Sequence, residues 1–190
     1  LYFPDDKYQL MPKHGYTSIF ENILDHPNIE VQLNTEFSDK SSSKYFHIFN
    51  SMPIDAYFDY RYGELPYRSI KFHHVDLPCS KLLPVPTFNF THEGPFTRMT
   101  EWKNYPNHGD CNNMTTLTYE EPCDYRENNF ERYYPVKDIN GENRSIYNKY
   151  KKLESEDMTF IGRCGLYVYV DMHQAISSAM ATAKRFLRST

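Results

Sequence analysis

"FIGRCGLYVYVDMHQ", Phe160 to Gln174, is the stretch on which the fold turns. It reads as a short buried strand passing through a glycine turn into a helix. That helix runs on through "AISSAMATAKRFLRST", with Met172, Ile176, Ala179, Met180, Ala183 and Leu187 on one face. Asp171 stands at the expected N-cap, where an aspartate satisfies orphan backbone N–H groups without any further role. The same strand, turn and helix start also make a cradle for an anion or cofactor, because free N–H groups and the positive dipole end point at one spot. Arg163 follows Gly162 in the turn, and continued strand geometry puts Tyr167 and Tyr169 on one side. On these residues alone both readings stay open.

Working outward, "SIYNKYKKLESE" predicts a helix and "MTFIG" a buried strand. From Tyr67 the short runs "YRSIKFHHV", "PTFNFT", "FTRMTEW" and "TTLTYEE" alternate with proline and polar loops, which predicts an antiparallel sheet. Polar loops are expected over 104–114 and 121–145. Near the start, "GYTSIFENILDHP" has the spacing of a helix near 17–25, with Ser18 and Glu21 as a capping box and a stop before Pro27. "IEVQLNTEF" alternates as a half-buried strand, "SDKSSSK" is a surface loop, and "YFHIFN" allows another short strand.

The 190 residues carry 21 Lys and Arg against 25 Asp and Glu, so no general attraction to a phosphate backbone is built in and no nucleic-acid role is expected. Any bound anion must be met locally. Tyrosine is the outlier, at 17 residues, and joins a flat apolar body to a hydroxyl. Cys79, Cys111, Cys123 and Cys164 lack metal-ligand spacing, and no apolar run approaches the ~18 residues of a membrane span, so free thiols and a cytoplasmic location are expected. His73 and His74 alternate across a strand, which places one ring in the core and one in solvent and argues against a metal with Asp76.

Arginine recurs beside tyrosine. Arg98 shares a predicted strand face with Thr100 and Trp102; Arg68 lies in "YRS"; Tyr133 and Tyr134 lie in "RYYP". Solvated surface arginines explain each of these singly. Together, guanidinium forks and phenol hydroxyls suit a diphosphate. No nucleophile–base arrangement and no acid/base carboxylate pair stands out, so any reactive centre is expected to be a cofactor's.

In order along the chain, "MPKHGYTSIFENIL", "IEVQLNTEF", "PIDAYFDYRYGELPYRSIKF", "FTRMTEWK", "RYYPV", "YNKYKKL" and "FIGRCGLYVYVDMHQAISSAM" resemble the C-terminal half of UDP-galactopyranose mutases. The resemblance implies interconversion of UDP-galactopyranose and UDP-galactofuranose through a covalent adduct of reduced FAD with the sugar, in the service of cell-surface polysaccharide. It implies that Tyr2, Arg98, Tyr134 and Tyr169 hold the substrate diphosphate. Gly162, Arg163, Asp171 and Met172 would lie against FAD, and Arg68 near the active site. Cys164 stands where the family has a larger apolar residue, and Val168 where a basic one is common.

The fold so implied is α+β. A central antiparallel sheet domain (61–145) is flanked by incomplete α/β pieces of a Rossmann-like FAD-binding domain (1–60 and 146–190), ending in a C-terminal helix. Expected partners are the UDP-galactose substrate and the missing N-terminal half of the enzyme, which carries the glycine-rich FAD segment; exposed strand edges and apolar helix faces predict self-association. The alternatives are a non-catalytic nucleotide-sugar binding module and a structural fragment that docks a separate flavin-binding half.

Overall fold

The computed structural model describes residues 5, 7–8, 10–37, 45–106, 108–109 and 111–189. The chain divides into two compact units, one of Leu1–Glu36 and Phe72–Glu121, the other of Phe37–Lys71 and Pro122–Thr190. Helices and strands are mixed, with an antiparallel sheet and a C-terminal helix.

In the first unit, helix α1 (Gly15–Leu24) forms where the spacing predicts it and ends before Pro27. Its cap differs from expectation. His14 is the N-cap and makes no side-chain bond, so Ser18 and Glu21 lie inside the helix and form no capping box. The apolar stripe of Tyr16, Ile19, Phe20, Ile23 and Leu24 is exposed. The strand expected from Ile29 does not form. Val31 and Leu33 are exposed, and the residues from 25 to 37 carry no ladder. Alternation needs a neighbouring edge and a core to become a strand, and this segment has neither.

Strands β2 (Tyr67–Leu77) and β5 (Thr115–Asp124) are long and each passes from one unit into the other. Between them in sequence come β3 (Thr87–Asn89) and β4 (Arg98–Glu101). β3 pairs antiparallel with β4 at Thr87–Thr100, and β4 with β5 at Glu101–Leu117. β-branched Thr115, Thr116 and Thr118 fit the pleat of β5, and Leu117 and Thr118 are fully buried. Both histidines of β2 are exposed, contrary to expectation: His73 Nε2 bonds Glu121 at 2.7 Å and His74 Nδ1 bonds Thr118 Oγ1 at 2.8 Å. Polar partners on β5 hold each ring at the surface.

The second unit contains β1 (Ile48–Asn50), a single-turn helix α2 (Ile54–Tyr57), strand β6 (Tyr134–Pro135), helix α3 (Glu142–Lys151), strand β7 (Met158–Phe160), a single-turn helix α4 (Gly162–Gly165) and helix α5 (Met172–Ser189). β1 and β7 are parallel, with Ile48 opposite Met158 and Asn50 opposite Phe160. β6 pairs with the first residues of β2, Arg68 lying opposite Tyr134, so part of the expected 121–145 loop is strand.

Helix α3 follows Gly141, whose φ of 76° needs a residue without Cβ, and Glu142 at its start and Lys149 and Lys151 at its end complement the helix dipole. Its Tyr147 and Tyr150 enter a core of Ile54, Leu65, Tyr67, Tyr125, Met158, Phe160 and Tyr167. Four of its phenols are hydrogen-bonded: Tyr150 donates to Gly63 O, Tyr67 to Cys164 O, Tyr167 to Pro66 O, and Tyr125 to Glu64. Much of the tyrosine excess is therefore core. Helix α5 carries its apolar stripe outward, with Met172, Ile176, Met180 and Leu187 all more than half exposed and no residue buried.

Candidate functional site: an arginine–tyrosine cluster at the 160–172 turn

The link from β7 to α5 is built by two glycines. Gly162 takes φ of 72°, which lets the chain leave the strand and wind one helical turn. Gly165 lies so close to Asn50 O that a Cβ there would sit 3.0 Å from it. After that turn Tyr167 takes a left-handed φ of 49°, so no strand resumes there. The expectation that Tyr167 and Tyr169 share a side therefore fails: Tyr167 is buried against Tyr67 and Tyr147, while Tyr169 is 64% exposed.

Arg163 organises what faces out. Its Nε and Nη2 donate to Val170 O at 3.1 and 2.6 Å, and its Nη1 to Tyr133 O at 2.6 Å. The guanidinium lies 4.8 Å from the Tyr169 ring centroid, within cation–π range. Tyr134 meets Tyr169 edge to face, with centroids 6.0 Å apart. Tyr134 is in turn the ladder neighbour of Arg68, whose carbonyl accepts from Tyr133 N at 3.0 Å. Two phenols and one guanidinium thus assemble beside the start of α5, with exposed Arg68 as the backbone neighbour of Tyr134. Three guanidinium bonds leave one N–H free on each terminal nitrogen of Arg163.

At the helix start, Asp171 O accepts from Ala175 N at 2.9 Å, and Gln174 Oε1 accepts from Asp171 N at 2.8 Å. That is the returning half of a capping box, with Asp171 in the N-cap place. Met172 follows and is 55% exposed. Beneath the cluster the groups are desolvated: burial, foremost, pushes the Tyr67, Tyr167 and Cys164 acids up, so all three stay protonated at neutral pH. Cys164 Sγ lies 3.9 Å from Arg132 O, which suits a small side chain at that position.

Arg98 belongs to the first unit. There it donates through Nε to Asn89 Oδ1 at 3.2 Å and through Nη1 to Glu120 Oε1 at 3.5 Å, half-exposed. Trp102 does not extend its strand face: β4 ends at Glu101, Trp102 opens a 3₁₀ turn, and its indole N–H donates to Thr118 at 2.6 Å. Tyr2 lies outside the described residues. Among the described residues, no group of three or more His, Cys, Asp or Glu could hold a metal ion, and no helix is long and apolar enough to cross a membrane.

Residues 1–169 match the family model described as UDP-galactopyranose mutase. The chain belongs to that family. It is 36% identical to the probable UDP-galactopyranose mutase of Klebsiella pneumoniae, over 96% of this chain and 47% of the relative. It is 33% identical to the dTDP-fucopyranose mutase of Escherichia coli, over 96% and 50%, and 31% identical to the UDP-galactopyranose mutase of Mycoplasma pneumoniae, over 98% and 50%. The chain thus spans about half the length of these mutases.

Two polar residues of the second unit were not singled out by sequence reasoning. Asp55 is fully buried, and Arg132, the arginine of "RYYP", lays its guanidinium over the buried rings of Tyr67 and Tyr125 and donates to the exposed Tyr60. The available signal was Asp55 in the apolar run "PIDAYF", since a carboxylate placed there requires a partner.

Proposed function

We propose that this chain serves as the C-terminal portion of a mutase that interconverts the pyranose and furanose forms of a nucleotide-linked galactose, UDP-galactopyranose and UDP-galactofuranose. Family membership supports the reaction class. The observation that carries the reading is the cluster of Arg163, Tyr169 and Tyr134, an exposed and a half-buried phenol with a fixed guanidinium beside a helix N-terminus. In this reading Tyr134 and Tyr169, with Arg98 and Tyr2, hold the diphosphate. Arg163 spends three donors on backbone carbonyls and keeps two N–H groups for the margin of an FAD ring.

The residues fit that margin. Gly162 offers no side chain, Met172 is exposed at the first turn of α5, and Asp171 is the N-cap. FAD, when bound in its reduced form, would supply the nucleophile for the sugar's anomeric carbon. The chain's own residues orient the sugar nucleotide and steady the departing diphosphate, which accounts for a site made of binding groups. In the whole enzyme, 1–60 and 146–190 would complete a Rossmann-like flavin domain around the 61–145 sheet, with the FAD pyrophosphate taken by the other half. A soluble cytoplasmic enzyme that self-associates is the corresponding picture of the assembled protein.

Calorimetric titration of the chain with UDP and with dTDP tests the binding half of this reading, and the second nucleotide is included because of the dTDP-fucopyranose mutase relative. Co-expression with a flavin-binding N-terminal half, followed by FAD absorbance and assay of furanose formation, tests the catalytic half. Bound FAD with turnover is the expected result. Co-purified halves without FAD and without affinity for either nucleotide would overturn it.

A further inference from the structure

A cavity of about 340 Å³ lies in the first unit, between the 3₁₀ turn at Trp102, the end of β2 and the start of β5. That is the size of a small-ligand pocket. None of the residues lining it belongs to the arginine–tyrosine cluster. One wall is aromatic: Trp102 is 38% exposed, and His108 stacks on it with ring centroids 5.8 Å apart and planes 21° from parallel. The indole is held in place, since its N–H donates to Thr118 Oγ1 at 2.6 Å and that hydroxyl also bonds His74 Nδ1 at 2.8 Å.

Among the described residues, every strong side-chain donor of the lining is already engaged. Lys103 donates to Ser80 O, Cys111 O and Met114 O, and an ammonium has no fourth N–H. Thr115 Oγ1 donates to Glu101 and Thr116 Oγ1 to Asp76 Oδ1, each at 2.6 Å. His108 Nδ1 bonds Pro106 O at 3.0 Å; a carbonyl only accepts, so the neutral ring carries its proton there and Nε2 keeps a lone pair. The groups left over are acceptors, Asp76 Oδ2 and His108 Nε2. The Cys111 thiol adds only a weak donor, and its acid is lowered, foremost by the backbone N–H groups of Asn113 and Met114.

These features select a ligand class. A lining that offers acceptors refuses a phosphate or a carboxylate, which brings acceptors of its own. Lys103 at the same wall offsets the Asp76 charge, so a cation gains no net field. What remains is a neutral polyhydroxylated ring, which donates O–H groups to Asp76 and His108 and lays its C–H face on the aromatic wall. We propose that this cavity is a site for a neutral monosaccharide, with Trp102 as its platform and Asp76 as the main acceptor of its hydroxyls. The site makes no phosphate contact and stands independently of the diphosphate reading.

The test titrates the full chain with methyl β-galactopyranoside and, in parallel, with inorganic phosphate and with methylammonium chloride. Trp102 is the only tryptophan, so its emission and its indole ¹H–¹⁵N resonance read this cavity directly. A saturable change is expected with the sugar alone, half complete in the millimolar range, about 4 kcal/mol of binding. Asp76→Asn, at an exposed position, replaces the free acceptor by an NH₂ group and weakens the sugar about tenfold or more. His108→Phe keeps the stacked ring, removes the second acceptor and weakens the sugar by a smaller factor; circular dichroism checks that both variants are folded. No saturable response to the sugar, or the same response to phosphate or methylammonium, would overturn the proposal. So would wild-type affinity in folded Asp76→Asn, and, should that variant unfold, wild-type affinity in His108→Phe decides against it equally.

Discussion

Replacing Glu101 by glutamine should weaken the first unit specifically. The carboxylate is fully buried at the end of β4 and accepts four bonds: from Leu82 N at 3.0 Å and Thr115 Oγ1 at 2.6 Å on one oxygen, and from Leu83 N at 2.6 Å and Asn104 Nδ2 at 3.0 Å on the other. Glutamine keeps one acceptor oxygen and presents an NH₂ to the other pair of donors. Two bonds to a charged acceptor are lost, each worth about 1.5–3 kcal/mol, and partial reorientation leaves a net cost of roughly 2–4 kcal/mol. Trp102 is the only tryptophan of the chain and lies one residue away, so its fluorescence reads this unit alone. Thermal unfolding followed at Trp102 should move down by roughly 10 °C or more. The pH dependence carries a second signature. Burial raises the Glu101 acid, but the bonds from Thr115, Leu83, Leu82 and Asn104 outweigh it and leave the pKa below the ordinary value of 4.5. Its contribution is therefore complete above that ordinary value and is lost as pH falls through the lower folded one. Asp55 has the opposite sign: its acid is raised by burial, so its contribution is greatest at acid pH and lost as pH rises through the folded pKa. A Trp102 transition in Glu101→Gln that overlays the wild type, with the same acid limb, would refute the four-bond clamp.

Gly165→Ala should cost about 1–3 kcal/mol in urea unfolding, since the new Cβ would press on a main-chain oxygen rather than a movable side chain. An unchanged midpoint would mean that β1 yields there. Tyr169→Ala should weaken UDP binding by about 1–2 kcal/mol while leaving the melting temperature within about 1 °C, because an exposed ring contributes little to the core; a lowered melting point with unchanged affinity would reverse its role. Arg98→Ala should weaken UDP binding by about 2–3 kcal/mol, read by calorimetry, and unchanged affinity would leave it a surface arginine bonded to Asn89 and Glu120. Changing Ile19 and Ile23 of α1 to lysine should reduce self-association in sedimentation, because both are exposed on one stripe; an unchanged sedimentation profile would move the sticky surface elsewhere, with the stripe of α5 next to be tested.

What was legible in the sequence follows from what local pattern can encode. Helices α3 and α5 were readable because helical hydrogen bonds are local, and strands β3 to β5 because each finds its ladder partner in the same stretch of chain. The Ile29–Leu33 alternation had the right pattern and no partner, so the pattern was empty. The turn at 162–165 was visible as glycines, but the positive φ at Tyr167 was not, because nothing in a tyrosine announces it. That single dihedral separates Tyr167 from Tyr169 and decides which of two similar rings is core.

The same ambiguity runs through the arginines and tyrosines generally, and burial resolves it. A phenol suits a core or a ligand equally well, so the excess of tyrosine said little until the hydroxyls were followed. Those of Tyr67, Tyr150 and Tyr167 end on main-chain carbonyls inside the second unit, whereas Tyr169 keeps most of its ring in solvent under a guanidinium. "RYYP" shows why adjacency in sequence misleads: Arg132 and Tyr134 are two apart, yet one lies over the buried rings of Tyr67 and Tyr125 and the other meets exposed Tyr169. The arginine is the costlier residue to keep, since its Nε is buried without a hydrogen-bond partner while its guanidinium rests on the Tyr125 ring.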